Sequence, residues 1–304
     1  MKFNKQKNLI AVVGPTAIGK TNLSLQLARY FNTEIISADS RQFYKELKIG
    51  TAPPTPNELS EVKHHFIGNL SIHENYNINT YENESINLLQ NLFKTYDNII
   101  MVGGSGLYIN ALWYGIDELP DGDKSLRAEL KNKLELEGIE SLRSHLKLLD
   151  PEYYNQVDLC NVNRIIRAIE VCETTGKKFS DIRLKKHKKR DFNIIKIGLV
   201  RQKEELYAVI NSRVDKMIEN GLVHEVYDMS GFRQLNALNT VGYKELFKYI
   251  DGESTLTKAI EDIKTNTRRF AKRQMTWFRK DPSIKWFNYD EFNKIRCLCT
   301  DLDN

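Results

Sequence analysis

The 304-residue sequence has little of what marks several large protein classes. Its four cysteines are too few for a disulfide scaffold. Cys297 and Cys299 stand in a C-x-C spacing with no matching Cys or His pair nearby, a poor zinc signature. A reducing, cytoplasmic setting is therefore expected. No apolar run approaches the roughly 18 residues of a membrane span. The first such run, Leu9–Val13, is cut off at once by Gly14 and Pro15. A secretory core is longer and ends in a small-residue cleavage site, so export is not expected. Internal repeats are absent, as is low complexity outside a lysine-rich stretch near 185–190. With 28% charged and 41% hydrophobic residues, wholesale disorder and fibrous classes are excluded. The length fits one elaborated domain or two domains.

The formal net charge of +5, from 45 Lys+Arg against 40 Asp+Glu, decides nothing by itself. Its distribution says more. Residues 183–190 (RLKKHKKR) carry six Lys/Arg and no acid. Residues 264–285 carry eight against the single acid Asp281, a local +7. An isolated run of this kind is usually a solvated face. Two concentrated runs in a nearly neutral chain point toward a polyanionic partner.

Short apolar runs at Asn8–Val13, Glu34–Ala38, Asn98–Val102 and Asn193–Val200, with a weak one at His65–Gly68, alternate with helical patterns. That alternation predicts an α/β fold, a parallel sheet flanked by helices. Residues 124–150, 157–175, 204–229 and 241–281 are helical in pattern. The stretch 119–189 is expected to be a helical insertion, leaving 1–118 and 190–304 as the core domain.

Gly14-Pro15-Thr16-Ala17-Ile18-Gly19-Lys20-Thr21 matches the phosphate-loop pattern G-x-x-x-x-G-K-[ST] without departure. The glycines let the backbone wrap its N–H groups around an anion, and the following helix adds its positive end. Lys20 reaches a terminal phosphate, and the Thr21 hydroxyl suits Mg²⁺. Which phosphate compound is held stays open. The fourth strand ends in Gly103-Gly104-Ser105 with no acid, whereas the second ends in Asp39. Asp39 is a metal partner or a base.

Further blocks accompany the loop. They are ADSRQFY (38–44), IGTA (49–52), HHFI (64–67), GGSGLY (103–108), NRIIRAIEV (163–171) with TGK (175–177), RVDKMIENGLVHEV (213–226), VGYKE (241–245) and RRFAKRQMTWFRKD (268–281). In this order, over almost the entire chain, the sequence resembles the tRNA dimethylallyltransferases (tRNA isopentenyltransferases), a P-loop NTPase-like fold. Two departures are visible: Ser105 where that family usually has Thr, and Pro53 where a basic residue commonly follows G-T-A.

The resemblance implies transfer of a dimethylallyl group from dimethylallyl diphosphate to N6 of the adenine beside the tRNA anticodon, with Mg²⁺ as cofactor. Residues 14–21 would hold the diphosphate, with Mg²⁺ at Thr21. Asp39 would be the general base, and Ser105 the hydroxyl that assists the diphosphate. The implied tRNA contacts are Asp39, Ser40, Arg41, Gln42, Ser105, Arg127, Asn163, Arg164, Ile165, Ile166, Arg167, Arg269, Lys272 and Arg273, with the insertion facing tRNA.

A stacked anticodon-loop base must be extracted before reaction, and Gln42 carries the amide needed to read an adenine edge. Arg269, Lys272, Arg273 and Thr276 share one helix face, while Phe270, Trp277 and Phe278 share another that is expected to be core. His64 and His65 either orient the site or are structural. A monomer acting on the anticodon stem-loop, away from membranes, is expected. The alternatives are a prenyltransferase acting on free AMP, ADP or ATP, a P-loop kinase of small molecules or nucleosides, and a nucleic-acid-binding module.

Overall fold

A computed structural model describes residues 6–117, 119–184 and 187–300. The chain opens with β1 (Asn8–Val13), α1 (Lys20–Phe31), β2 (Ile35–Ala38), α2 (Pro56–Glu61), β3 (His64–His65), α3 (Ile78–Leu92), β4 (Asn98–Gly103) and α4 (Gly106–Tyr114). A helical stretch follows: α5 (Lys124–Glu137), α6 (Ile139–Leu149), α7 (Pro151–Gln156), α8 (Val162–Thr175) and α9 (Phe179–Ile182). The sheet resumes with β5 (Asn193–Val200), then α10 (Lys203–Glu219), α11 (Leu222–Asp228), α12 (Tyr243–Ile250), α13 (Leu256–Phe278), β6 (Lys285–Asn288) and α14 (Phe292–Thr300).

Among the described residues six strands form one parallel sheet in the order β3-β2-β4-β1-β5-β6. The unbroken apolar runs fit this arrangement, because a strand covered by helices on both faces has no wet side on which to alternate. Every residue of β1 is buried. Leu23, Leu25 and Leu27 of α1 pack with Ile10, Val12, Ile100 and Ile197 of the sheet in one apolar cluster. The expected P-loop α/β architecture is present.

Several local features differ from the sequence pattern. The third strand is His64–His65, beside Ile35 and Ile36, rather than 65–68. Phe66 takes φ +61°, which turns the chain out of extended geometry. The edge strand β6 has no counterpart among the expected strands: it has four residues, and both its end residues, Lys285 and Asn288, are exposed. The helical patterns over 124–150 and 204–229 are each broken by a glycine in the left-handed region, Gly138 at φ +77° and Gly221 at φ +94°.

The chain divides into two compact units, one running up to Trp113 and again from Arg190, the other Tyr114–Lys189. In the second unit, Leu142, Leu146, Ile165, Ile166 and Ile169 build a separate apolar core. Its two chain ends are tied, since Lys188 N donates to Tyr114 O at 2.7 Å and the His187 ring stacks on Tyr114 at 4.5 Å. Of the basic run 183–190, Lys185 and Lys186 lie outside the described residues. Its last member, Arg190, is turned into the first unit: it donates to the Ala111 and Leu112 carbonyls and pairs with buried Glu82 at 2.8 Å. That guanidinium is structural rather than a surface for a polyanion.

Strands β2 and β4 approach so closely that a Cβ on Gly103 would lie 2.3 Å from the Ala38 carbonyl oxygen. Gly103→Ala should therefore lower the unfolding free energy by about 1–3 kcal/mol, read from a urea titration. An unchanged midpoint would show that the strands have room to part.

Candidate active site

Strand register creates the site. Val13 pairs with Gly103, and Gly103 pairs with Ala38. The turns after β1, β4 and β2 therefore leave the sheet at one level, along the carboxyl edge where parallel α/β sheets bind ligands. Residues 16–21, 104–105 and 39–42 meet there around a cavity of about 910 Å³.

The phosphate loop takes a backbone shape that its glycines permit, with φ +145° at Gly14 and +105° at Gly19. No side chain caps α1. Its first N–H groups are thus available in the way that suits an anion. Lys20 Nζ donates to the carbonyls of Gly14 and Pro15 at 3.1 and 2.8 Å, which pins the ammonium across its own loop. Burial lowers its pKa to about 8, against the opposing pull of Asp39, while Arg213 adds a repulsion that lowers it further. Arg213, on α10, is itself pushed down by burial, and Asp39 again opposes the shift. It reaches the loop through Thr16 Oγ1 at 3.4 Å. One carboxylate thus faces two desolvated cations, an excess of positive charge that suits an anion.

Asp39 Oδ1 accepts from the Arg41 N–H at 3.1 Å, which fixes the turn after β2. Ser105 Oγ accepts from the Ser40 N–H at 2.9 Å and donates to Ser40 Oγ at 3.1 Å, joining that turn to the glycine turn. A threonine would keep both contacts. Gln42 lines the cavity, but its Nε2 is engaged by the carbonyls of Thr51 and Ala52 at 3.2 and 3.0 Å. Arg41 points away from the phosphate loop, donating to the Asn236, Ala237 and Asn239 carbonyls. These two side chains brace the cavity wall, a duty the motif alone did not reveal. Part of the lining is apolar, with Met217, Val241 and Phe270 accessible from the cavity.

On α13, Arg269, Lys272 and Arg273 are exposed. With Thr276, Trp277 and Lys280 they line a groove of about 380 Å³, and Arg273 and Trp277 also border the main cavity. Of the aromatics expected to be core, Phe278 is buried, Trp277 is partly covered and Phe270 is exposed. Arg268 instead bonds Asn211 and Thr265.

A model described as IPP transferase matches residues 42–281. A tRNA dimethylallyltransferase from Christiangramia forsetii is 53% identical over 94% of this chain and 95% of its own. The chain belongs to the IPP transferase family. A tRNA dimethylallyltransferase from Flavobacterium johnsoniae is 50% identical over 93% of this chain and 94% of its own. Among solved structures, the full-length tRNA isopentenylpyrophosphate transferase from Bacillus halodurans is 34% identical with TM-score 0.71, covering 98% of this chain and 96% of that one. A eukaryotic dimethylallyltransferase acting on tRNA is 25% identical with TM-score 0.78, covering 97% and 77%.

Not every residue suggested by the family motifs is placed to meet a ligand. Ile165 and Ile166 are buried in the core of the Tyr114–Lys189 unit, because the helix turns that stripe inward. Their side chains cannot serve as tRNA contacts. Arg127 forms a two-point ion pair, both arms 2.6 Å, with Glu170, which is only 1% exposed. Arg167 is held by Glu170 and the Pro120 carbonyl. Leaving Glu170 unpaired would strand a buried charge, so Arg127 is primarily structural. Asn163 and Arg164 remain exposed at the start of α8.

His65 pairs with Glu34 at 2.5 Å, while His64 accompanies the cavity wall with Nδ1 2.7 Å from the Val62 carbonyl oxygen. Burial holds the pKa of His64 down. Arg213 and Glu225 were missed as site residues although both lie in the block 213–226. Glu225 accepts from the N–H groups of Lys48, Ile49 and Gly50 at 2.8, 2.7 and 3.0 Å, and from the Tyr243 hydroxyl at 2.5 Å, building the wall around Gly50–Ala52.

Lys20 gives the cavity a pH signature. Below about 8 its ammonium is charged and attracts a polyanion; above that, binding requires proton uptake. The affinity for inorganic diphosphate, taken as a ratio to Lys20→Met, should fall as pH rises through 8, by up to about tenfold per pH unit. Calorimetric titration at several pH values measures it, and a flat ratio would remove Lys20 from the anion site.

Proposed function

We propose that this protein transfers the dimethylallyl group of dimethylallyl diphosphate to N6 of the adenine beside the anticodon of tRNA. The observation that carries the reading is a single cavity lined by a phosphate loop, two cations with a carboxylate beside them, and apolar side chains. An exposed basic helix face opens alongside.

The loop N–H groups, Lys20 and Arg213 take up the negative charge that grows on the diphosphate as the allylic C–O bond breaks. Met217 and Val241 suit the short branched hydrocarbon and keep water from it. Adenine N6 is a weak nucleophile because its lone pair is delocalised into the ring. As the C–N bond forms, the Asp39 carboxylate takes the N6 proton while the diphosphate leaves with the C–O electron pair. The Ser105 hydroxyl, fixed by Ser40, faces the leaving group.

Among the described residues no group of three or more His, Cys, Asp or Glu gathers as a metal site. Mg²⁺ commonly binds through few protein ligands, substrate phosphates and water. The hard oxygen of Thr21, in the first turn of α1 and on the cavity wall, fits that role. When bound, the ion neutralises part of the diphosphate charge.

Arg269, Lys272 and Arg273 would meet tRNA phosphates, and Ser40 with Gln42 would flank the extracted adenine. Arg41 contributes by bracing that turn. Asn163 and Arg164 give the Tyr114–Lys189 unit an RNA-facing end. A tRNA substrate implies work in the cytoplasm, and among the described residues no helix is long and apolar enough to cross a membrane.

Labelled dimethylallyl diphosphate with Mg²⁺ and either unmodified tRNA or AMP tests the activity. Label is expected in tRNA; label in AMP alone would overturn the reading. Asp39→Asn should lower kcat by about 10²–10⁴-fold with tRNA affinity nearly unchanged. Equal losses in turnover and binding would refute the base assignment. Replacing Arg269, Lys272 and Arg273 by Ala should weaken tRNA binding and reduce its salt slope by about 3. A slope like that of the parent would mean tRNA lies elsewhere.

A further inference from the structure

One buried side chain touches both loops of the anion site, and none of the charge or nucleophile chemistry above employs it. Gln274 is 6% exposed and sits on α13, next to the exposed Arg273. Its Oε1 accepts from the Thr16 N–H at 2.8 Å, and its Nε2 donates to the Gly104 carbonyl at 3.0 Å. Thr16 lies within the phosphate loop, and Gly104 directly precedes Ser105. A primary amide is suited to this bridge, because it offers an acceptor and a donor a fixed distance apart on one rigid plane.

The surrounding packing makes the bridge specific. A Cβ on Gly104 would lie 2.3 Å from Gln274 Nε2, and one on Gly106 would lie 2.3 Å from Trp277 Nε1. The two glycines thus admit the side chains of α13 at close range. The same Cβ on Gly104 would lie 3.8 Å from Lys20 Nζ, so the bridge runs beside the phosphate-loop ammonium.

We propose that Gln274 is a positioning residue for the diphosphate cradle. Its one amide sets the separation of the phosphate loop and the glycine turn, so that the loop N–H groups, Lys20 and the Ser105 hydroxyl face the same anion. This rests on the prenyl-transfer reading for its catalytic consequence, but the cradle itself can be probed with inorganic diphosphate alone.

Two substitutions separate hydrogen bonding from space filling. Gln274→Met keeps the length and bulk of the side chain but loses both hydrogen bonds. Gln274→Asn keeps the amide but is one methylene short, so it satisfies one loop at most and leaves a void. A positioning amide predicts diphosphate affinity in the order Gln, Asn, Met, with the Met variant weaker by about tenfold. In Gln274→Met, KM for dimethylallyl diphosphate should rise and kcat should fall, while tRNA affinity stays within about twofold of the parent. The Thr16 amide should also exchange with deuterium faster than in the parent, while β1 stays protected.

If Gln274 merely fills space, Met is the better substitute and the order reverses. That order, or wild-type diphosphate binding by Gln274→Met, overturns the proposal. If the Met variant does not fold, Gln274→Leu takes its place, since it is also apolar, of similar bulk and unable to bridge the two loops. Diphosphate binding and Thr16 exchange like those of the parent would overturn the proposal, and a loss of both larger than in Gln274→Asn would support it. Diphosphate binding that follows the expected order in a protein without prenyl transfer would retain the cradle and sink only the functional reading.

Discussion

The lateral pairing of Val13 with Gly103 and of Gly103 with Ala38 is the constraint from which the site follows. In a parallel sheet all carboxyl ends share one edge, and matched register makes the turns after them emerge together. Moving β4 by one residue would move the glycine turn away from both the phosphate loop and Asp39. The cradle therefore depends on the same interstrand bonds that build the core. The close packing at Gly103 allows β2 to approach near enough for Ser105 and Ser40 to bond.

The electrostatics extend that constraint. Lys20 and Arg213 are brought together by α1 and α10, and burial makes both charges costly. Asp39 relieves them only in part. A bound diphosphate would supply the missing negative charge, so the ligand completes an ion cluster begun by the fold. The exposed Arg269, Lys272 and Arg273 differ in kind: they are solvated, and salt screens them. Their exchange of small ions for a polyanion would govern tRNA affinity. The chain's modest net charge thus conceals one desolvated and one solvated basic region.

Features written in local sequence were legible. The unbroken run before Gly14 specified a buried strand, the glycine spacing specified the anion loop, and a strand ending in Asp39 placed a carboxylate at the sheet edge. What could not be read depended on distant partners. Arg41 and Gln42 belong to the motif beside Asp39, yet they hold carbonyls at 236–239 and 51–52. Arg213 and Gln274 reach the phosphate loop across 197 and 258 residues of chain. The helix Val162–Thr175 carries Ile165 on its buried apolar stripe, but a motif block taken whole included it among the tRNA contacts. Strand β6, with only Trp286 and Phe287 between polar ends, was too short to announce itself.

Glu225 has a further consequence for where an anion can settle. Three consecutive N–H groups, from Lys48 to Gly50, converge on its carboxylate. Such a concave run of amide donors is itself a phosphate receptor. The protein therefore carries a second potential nest, already plugged by an internal anion and locked by the Tyr243 hydroxyl. With those three donors already bonded, this stretch has no N–H group to offer an incoming anion.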